Sequence, residues 1–311
     1  MNKLRKIIRG AVRPTIKTTL WLLKLMLPIT LVVRILQYLG VIEWLARYLN
    51  EVFVCMGMPG ASAIAWLTGA CVNTYAGLAV MLTMPLTLRQ ATIIAVMTCL
   101  CHALPMEGAV LSKTGSSFMR MTVVRIVAAF VSGVYLNLLL PEMNTMMPVT
   151  MAPETPPDSI MQVLEAWALS SIKMSAMIIA LIYALMVIQR MLDDLGLMYL
   201  LVKPLRPFMR LFGLPENASY LWLVGNVLGV SYGSAMMMEL INSGQVNRED
   251  ADIVNHHLSM NHSMLEDTLV YAAVGISAFW ILSTRILFAI ILVWAVRAIR
   301  KMRSVNLHSG S

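Results

Sequence analysis

Long apolar stretches are the feature that most restricts what this chain can fold into. Helices of about 20 apolar residues cross the hydrocarbon core of a bilayer, and six stretches of this kind lie near residues 18–39, 61–84, 118–140, 161–189, 217–241 and 278–298. With 59% hydrophobic and 13% charged residues, the chain has too little polar surface for a soluble globular protein. The sequence therefore predicts an all-α, polytopic protein in a lipid bilayer.

Two further apolar segments, near residues 90–111 and 251–275, contain ionisable groups, and the first also contains Pro105. Basic residues concentrate on the cytoplasmic side of membrane proteins. They occur here in the amino terminus, from Lys113 to Arg125, from Arg190 to Arg210 and from Arg297 to Arg303. The stretch 141–165 has acidic residues and prolines but no Lys or Arg, so it is predicted to face outside. This pattern requires the two interrupted segments to be re-entrant or broken helices and the two halves to be inserted in opposite orientations.

Five regions follow from this topology. They are a basic cytoplasmic amino terminus (1–17), a first repeat (18–140), a Pro-rich acidic extracytoplasmic linker (141–160), a second, oppositely oriented repeat (161–298) and a basic cytoplasmic tail (299–311). Each repeat is predicted to have three spanning helices, a re-entrant or broken helix and an interfacial amphipathic helix, at 42–56 or 197–212. An ordinary connecting helix is the alternative for the last of these.

Internal similarity supports the division into halves. One constant offset in numbering aligns five pairs: Gly40 with Gly196, Gly57 with Gly213, Pro59 with Pro215, Gly69 with Gly225 and Gly77 with Gly233. Further along, after a short insertion in the second half, a slightly larger offset aligns His102 with His262, and Glu107 falls one position out of register with Glu266. Inverted-topology repeats are a common architecture of secondary transporters.

Ionisable side chains inside a membrane are energetically costly and usually mark a pathway. The predicted substrate or coupling-ion site comprises His102, Glu107, Asn255, Ser259, His262 and Glu266. The last four share one face if residues 251–275 form a continuous helix. Pro105 is predicted to break its helix and free backbone carbonyls toward a solute or ion. The structural alternative is a buried hydrogen-bonded cluster that locks two hairpins together.

Further polar residues in the apolar segments are candidates for the pathway: Asn73, Asn226, Cys99 and Asp267. The glycine-rich spans around Asn73 and Asn226 also suit close helix packing. Cys99, Cys101, His102, Met106 and Glu107 would suit ferrous iron or zinc. A symmetric metal site is not indicated, because the second half has Asn255 and Ser259 where the first has Ala95 and Cys99. The metal assignment therefore stays open.

Several classes of function are disfavoured. The chain has no phosphate-binding GxxxxGK[ST] loop and no GxSxG or HExxH motif, so neither an enzyme nor a cofactor is predicted. Its formal net charge is +8, but the basic residues gather at the ends of apolar spans, which argues against nucleic-acid binding. Any transport would draw its energy from a gradient or from a partner protein.

The two halves also carry related motifs. GMPGASAIAWLTG and GLPENASYLWLVG each precede a Gly-rich span and then a His-and-Glu segment, CHALPMEG or NHSMLEDT. This pattern resembles the Gate, or nucleoside recognition, domain family, which includes spore maturation proteins A and B and the membrane region of the bacterial ferrous-iron permease, and which is distantly similar to concentrative nucleoside transporters. The resemblance implies a helical membrane protein with inverted repeats and a transport-related role. The chain lacks the GTPase attached to the iron permease and the additional scaffold spans of nucleoside transporters.

The preferred interpretation is a secondary permease or channel for a small polar or ionic solute, with its site at the midplane between the repeats. It would lie in the cytoplasmic (inner) membrane with both termini cytoplasmic, as a homo-oligomer or with a partner membrane protein. A proton is a candidate coupling ion, because histidine and a desolvated carboxylate can titrate near neutral pH. The alternatives are a divalent metal permease for ferrous iron or zinc, and a non-transporting membrane scaffold resembling spore maturation proteins.

Overall fold

The computed structural model describes residues 2–151, 157–215, 218–227 and 229–309, and these residues are almost entirely helical. The helices are α1 (Asn2–Tyr38), α2 (Val41–Val54), α3 (Ser62–Cys71), α4 (Thr74–Met81), α5 (Leu88–Leu100), α6 (Leu104–Lys113), α7 (Phe118–Leu139), α8 (Ile160–Asp194), α9 (Leu197–Leu211), α10 (Ser219–Val227), α11 (Val230–Asn242), α12 (Arg248–Asn261), α13 (Met264–Ala272) and α14 (Ala278–Ser309). Within the described ranges the chain forms no β-strand, and an isolated bridge joins Thr87 to Met146. The all-α prediction is confirmed.

Five stretches are long and apolar enough to cross a membrane. They are Arg5–Tyr38, Leu88–Lys113, Phe118–Leu139, Ile160–Leu192 and Ala278–Met302. Four of them correspond to predicted crossings. The fifth, Leu88–Lys113, contains the segment predicted to be re-entrant or broken, and it is interrupted between α5 and α6.

The predicted crossings at 61–84 and 217–241 are not continuous helices. In the first half, α3 and α4 are separated at Val72 and Asn73, and the Asn73 side chain accepts a hydrogen bond from the backbone N–H of Ala76 at 2.8 Å. In the second half, Gly229 has a φ of 88° just before α11 begins. An Asn cap and a left-handed glycine both favour a new helix start over continuation of the old helix. Each segment is therefore a pair of short helices.

Glycines allow the two members of each pair to pack closely. A Cβ atom on Gly77 would lie 2.9 Å from the Cα atom of Gly69, and one on Gly233 would lie 3.1 Å from the Cα atom of Gly225. Only glycine permits backbones to approach this far. The packing role that the sequence indicated for these small residues is observed in both halves.

The two segments with ionisable groups are also broken, and their breaks share an unusual geometry. Ala103 lies between α5 and α6 with a φ of 46°, and Ser263 lies between α12 and α13 with a φ of 51°. The Ala103 N–H donates to the Gly69 carbonyl at 3.0 Å, and the Ser263 N–H donates to the Gly225 carbonyl at 3.1 Å. Each left-handed residue thereby attaches its break to the neighbouring glycine pair.

The break in the first half is not at Pro105, as the sequence suggested. Pro105 lies in the first turn of α6, after the chain has already turned at Cys101 to Ala103. A proline is well tolerated there, because the N–H groups of a first turn have no intrahelical acceptor. The proline therefore starts α6 rather than ending α5.

The long helices α1 and α8 pack against each other, and the Tyr183 hydroxyl on α8 donates to the Ile8 carbonyl on α1 at 3.4 Å. Residues 2–17, predicted to be a separate amino-terminal region, are the first part of α1, and α14 likewise runs through the predicted tail as far as Ser309. Both segments predicted to be amphipathic are helices, α2 and α9. Their position at the membrane interface stays a prediction.

Part of the linker between the halves packs against the start of α5. The Leu88 N–H donates to the Thr145 carbonyl at 2.8 Å, and the Met147 N–H donates to the Leu86 carbonyl at 3.0 Å. The guanidinium of Arg34, on α1, donates to the Met151 carbonyl. Residues 152–156 of the predicted linker lie outside the described residues, and the side of the membrane that the linker faces stays a prediction.

Candidate functional site

Three ionisable side chains meet where the broken helices of the two halves come together. The Nε2 atom of His102 lies 3.1 Å from Oε1 of Glu107, and the Nε2 atom of His262 lies 3.0 Å from the same oxygen. The two Nε2 atoms are 3.1 Å apart. His102, Glu107 and His262 are all buried, with 5%, 4% and 1% exposure. We refer to these three residues as the central cluster.

Helix breaks place all three side chains. His102 follows the end of α5, Glu107 lies in the first turn of α6, and His262 is the C-terminal cap of α12. His102 and Glu107 come from the first half and His262 from the second, so the central cluster needs both halves. The sequence predicted all three as site residues, and the structure brings them together.

Backbone carbonyls determine how the two imidazole rings carry their protons. The Nδ1 atom of His102 lies 3.2 Å from the carbonyl oxygens of Thr98 and Cys99, and Nδ1 of His262 lies 2.8 Å from the carbonyl oxygen of Leu258. A carbonyl oxygen only accepts hydrogen bonds, so both Nδ1 atoms must carry the proton. In the neutral rings, both Nε2 atoms therefore present lone pairs to the central cluster.

Two buried arginines support the breaks from the long helices α7 and α14. The Arg125 Nε–H donates to the Leu100 carbonyl at 3.0 Å, and Nη1 of Arg125 lies 2.7 Å from Oε2 of Glu107. That ion pair is close, but its geometry is not that of an aligned hydrogen bond. Arg125 thus holds one oxygen of Glu107 and leaves the other for the histidines.

Arg285 makes the corresponding contacts in the second half. Its Nε–H donates to the Met260 carbonyl at 3.0 Å, its Nη1 donates to Oδ2 of Asp267 at 2.9 Å, and its Nη2 donates to the His262 carbonyl at 2.5 Å. The sequence predicted that carbonyls freed by a helix break would face a solute or ion. In the structure, the Met260 and His262 carbonyls accept hydrogen bonds from Arg285 instead. Both arginines are essentially inaccessible, with exposures of 1% for Arg125 and 0% for Arg285.

Neither arginine was predicted as a site residue. Arg125 was expected at the end of a basic stretch that marks topology, but its side chain is buried in the core. The signal was present, since Arg125 and Arg285 lie inside predicted spans and are related by the same offset in numbering as His102 and His262. A basic residue well inside an apolar span is a functional or structural candidate in its own right.

The acidic counterpart of Glu107 is Asp267, not Glu266 as the sequence alignment suggested. Asp267 is in exact register with Glu107 at the offset that relates the two histidines, and it pairs with Arg285 as Glu107 pairs with Arg125. Asp267 also accepts a hydrogen bond from the Thr74 hydroxyl at 3.1 Å. Glu266 accepts one from the Tyr75 hydroxyl at 2.8 Å and lies beside the central cluster without bonding to it.

Two predicted site residues lie elsewhere. Asn255 donates to the hydroxyls of Thr114 and Ser116, at 2.8 and 2.9 Å, near the loop between α6 and α7. The Ser259 hydroxyl donates to the His256 carbonyl at 2.8 Å within its own helix. The expected polar face running from Asn255 to Glu266 does not form, because the helix breaks at His262 and Ser263 and the following residues change direction.

The candidate pathway residues have local roles in the structure. Asn73 caps α4, the Asn226 side chain donates to the Trp222 carbonyl at 2.9 Å, and the buried Cys99 offers its carbonyl to His102. The Oδ1 atom of Asn226 has no hydrogen-bond partner among the described residues. The four cysteines are free thiols.

The central cluster has the composition of a metal site. One donor atom each from His102, Glu107 and His262 lies within 4.8 Å of the other two. Two imidazole nitrogens and one carboxylate suit divalent first-row transition metals. Among the described residues, the central cluster is the group of three or more potential metal ligands found at this spacing.

Comparison with known proteins places the chain in a family. The profile of the Gate domain, described as nucleoside recognition, matches residues 19–137. The uncharacterized membrane protein YvoD of Bacillus subtilis (strain 168) is 32% identical over 296 residues, which cover 94% of this chain and 95% of that protein. The chain belongs to the Gate family. It is a multi-pass membrane protein, and the family match supports a role in membrane transport.

Among solved structures, the chain is similar to the structure of CNTnw in an inward-facing substrate-bound state. The TM-score is 0.47 with 14% sequence identity, and the similarity covers 87% of this chain and 73% of that chain.

The Gate profile matches the first half of the chain alone. The resemblance of residues 161–298 to the same domain stays a prediction from the sequence.

Proposed function

We propose that this protein is a secondary permease for a small polar or ionic solute, and that the central cluster is its binding site. The observation that carries the proposal is the meeting of three buried ionisable side chains from both halves at helix breaks. Broken helices at the contact between two repeats are where secondary transporters bind substrates and coupling ions. Membership of the Gate family agrees with a transport role.

The cost of burying these groups supports a functional role. Ionisable side chains within a membrane are rare unless they contact a pathway or one another. Backbone carbonyls accept the Nδ1 protons of both histidines. When the histidines are neutral, however, the three atoms that converge in the central cluster all carry lone pairs. A purely structural lock would be better served by a matched donor and acceptor. The arrangement suits a site that receives something from outside.

We further propose that the two halves have opposite orientations in the cytoplasmic membrane, with both termini in the cytoplasm. The basic segments and the acidic linker support this topology. Matching local geometry at matching positions also supports it, since Gly40 and Gly196, with φ of 70° and 69°, both precede a short helix. Alternating access would then move one half against the other around the central cluster.

Polar contacts outside the central cluster would hold the two halves together in the conformation described here. Asp252, on α12, accepts hydrogen bonds from the Ser116 hydroxyl at 2.6 Å and from Arg120 at 2.7 Å, and it also contacts Arg300. The contacts with Ser116 and Arg120 join the second half to the loop before α7 and to the first turn of α7. In the proposed cycle these contacts break before a solute can leave.

The proposal can be tested with purified protein and three histidine variants. His102→Gln and His262→Gln remove members of the central cluster. His257→Gln is the matched control, because His257 is equally buried but contacts Trp222 at 3.0 Å and Asn261 at 3.1 Å instead. Thermal unfolding would be recorded with nucleosides, organic anions and divalent cations. Any stabilising compound would then be followed into liposomes containing the protein.

The expected result is that one class of compound stabilises the wild type and the His257→Gln variant but not the two cluster variants. A ligand present at about 100 times its Kd stabilises the folded state by about 2.7 kcal/mol. The same compound should enter liposomes that contain the wild type faster than it enters empty ones. If nothing stabilises or crosses and the cluster variants are merely less stable, the membrane scaffold becomes the better account.

A further inference from the structure

With neutral histidines and an ionised Glu107, the central cluster contains three electron-pair donors and no hydrogen to share among them. Both Nδ1 protons are directed at backbone carbonyls, so Nε2 of His102, Nε2 of His262 and Oε1 of Glu107 face one another as acceptors. Three lone pairs at 3.0 to 3.1 Å repel unless a cation lies among them. The identity of that cation can be argued from the three contacts.

Protons alone leave at least one contact unfavourable. If one histidine is protonated, its Nε2–H donates to Glu107, but the other Nε2 still faces the carboxylate oxygen without a hydrogen between them. If both histidines are protonated, both donate to Glu107, but two positively charged rings then lie with their Nε2 atoms 3.1 Å apart. A metal ion bound by all three atoms would attract each of them, and this attraction would offset their mutual repulsion.

The distances suit a metal ion without large movement. Zinc binds imidazole nitrogen and carboxylate oxygen at about 2.0–2.2 Å. Donors at that range are roughly 2.8–3.1 Å apart in octahedral geometry and roughly 3.3–3.6 Å apart in tetrahedral geometry. The three observed separations, 3.0, 3.1 and 3.1 Å, match the octahedral spacing, and a tetrahedral ion would need the donors to move apart by a few tenths of an ångström. Three protein donors leave further coordination positions open, as an exchangeable site requires.

The surroundings supply both the charge and the orientation. Glu107 pairs with Arg125 and Asp267 pairs with Arg285, so an ionised Glu266, which accepts a hydrogen bond from Tyr75, leaves one formal negative charge when the histidines are neutral. A cation is therefore favoured electrostatically. The contacts from Nδ1 to backbone carbonyls are of the kind that orient histidine ligands in metal proteins, and Arg125 fixes the rotation of the Glu107 carboxylate.

We propose that His102, Glu107 and His262 bind one divalent transition-metal ion, and that this ion is the solute that the permease carries. The second part rests on the proposed function, while the first stands on the geometry alone. Arg125 acts as a positioning residue, since it holds Oε2 of Glu107 and leaves Oε1 for the metal.

X-ray absorption spectroscopy of the zinc-loaded full-length protein tests the site directly. The protein would be prepared without a polyhistidine tag and dialysed against zinc, and bound metal would be counted by mass spectrometry. We expect one zinc per chain, nitrogen and oxygen scatterers at about 2.0–2.1 Å, and the multiple-scattering pattern of two imidazoles. Sulfur scatterers would overturn the proposal, because the cluster contains none and Cys99 and Cys101 lie nearby in the sequence.

Variants assign the signal. His102→Gln, His262→Gln and Glu107→Gln should each lower zinc affinity by at least about tenfold, while His257→Gln should leave it within about threefold. Because the wild-type spectrum needs no variant, the test does not depend on whether a variant folds. Folded wild type that binds no zinc, or that binds it equally in all variants, would overturn the metal site.

Zinc entry into liposomes separates this inference from the proposed function. A bound zinc with two imidazole ligands but no zinc flux would leave the metal site standing and overturn zinc as cargo. Flux of a different solute in a protein that binds no metal would overturn the metal site and leave the permease standing.

Discussion

The break between α5 and α6 and the break between α12 and α13 are built alike, but only one of them supplies a carboxylate to the central cluster. Each has a left-handed residue, a buried arginine and an acidic residue at matching positions. In the first half the acid is Glu107, which contacts both histidines; in the second it is Asp267, which contacts Thr74 and Arg285 instead. One methylene group thus separates a cluster residue from a supporting one, and the site is asymmetric although its frame is repeated.

The two buried arginines also differ, in how many of their donors are hydrogen-bonded. Arg285 has three aligned hydrogen bonds, whereas Nη2 of Arg125 has no hydrogen-bond partner among the described residues. In the second half the arginine and its acid are therefore both hydrogen-bonded, whereas in the first half Nη2 of Arg125 and Oε2 of Glu107 have no aligned hydrogen bond among the described residues. Changing equivalent residues in the two halves tests this difference.

The largest effect is expected at the arginines. Arg285→Ala would remove the ion-pair partner of Asp267 and the donor to two carbonyls, and Arg125→Ala would remove the ion-pair partner of Glu107 and the donor to one carbonyl. Removing one partner of a buried ion pair costs about 3–5 kcal/mol. Thermal unfolding in detergent should show a severe loss for both variants and a larger one for Arg285→Ala. Equal or smaller destabilisation by Arg285→Ala would contradict the proposed difference between the halves.

The glycine pairs come next. Gly77→Ala places a Cβ atom 2.9 Å from Gly69, and Gly233→Ala places one 3.1 Å from Gly225. Overpacking of this kind costs about 1–3 kcal/mol. Both variants should unfold at lower temperature, Gly77→Ala more than Gly233→Ala. A neutral Gly77→Ala variant would show that α3 and α4 are not held as closely as described.

A reciprocal exchange of the two acids addresses the site itself. Glu107→Asp withdraws the carboxylate from the histidines and should weaken zinc binding by about tenfold or more, or about 1.4 kcal/mol. Asp267→Glu should leave zinc affinity within about threefold, although it adds volume to a packed region. Equilibrium dialysis measures both. Weaker binding in the Asp267→Glu variant alone would shift the site toward the second half.

The smallest effect concerns a network without a counterpart in the first half. Asp252 binds Ser116 and Arg120, whereas Thr92, the residue at the matching position of the first half, donates to the Leu88 carbonyl within its own helix. Asp252→Asn should cost about 1–2 kcal/mol, because a charge-assisted contact is lost. Thr92→Val should cost less than about 0.5 kcal/mol, since the Leu88 carbonyl keeps its helical partner. Chemical unfolding compares the two, and equal costs would count against a specific role for Asp252.

Much of this architecture could be predicted from the sequence. Apolar length gave the helical membrane fold, and ionisable groups at membrane depth gave His102, Glu107 and His262. The breaks at Val72 and Gly229 could not be predicted with the same security, because glycine-rich apolar runs are equally compatible with a continuous helix that packs closely.

Other errors came from register and from position along the span. A shift of one residue along a helix turns a side chain by about 100°. The alignment was off by one residue, and Glu266 was therefore taken as the counterpart of Glu107 in place of Asp267. The predicted polar face from Asn255 to Glu266 required a continuous helix. The helix is interrupted at Ser263, which has a left-handed conformation, so the face does not form. Arg125 was interpreted as a topology signal because basic residues near the ends of spans usually are. Its burial depends on Leu100 and Glu107, which are distant in sequence.

Zinc flux into liposomes measures whether the central cluster is the ligand site of a permease. The vesicles would contain a fluorescent zinc indicator and either the wild type, His262→Gln or the control His257→Gln. We expect zinc to enter at similar rates with the wild type and the control, and to enter no faster than into protein-free vesicles with His262→Gln. Entry at the wild-type rate through a well-folded His262→Gln variant would contradict it.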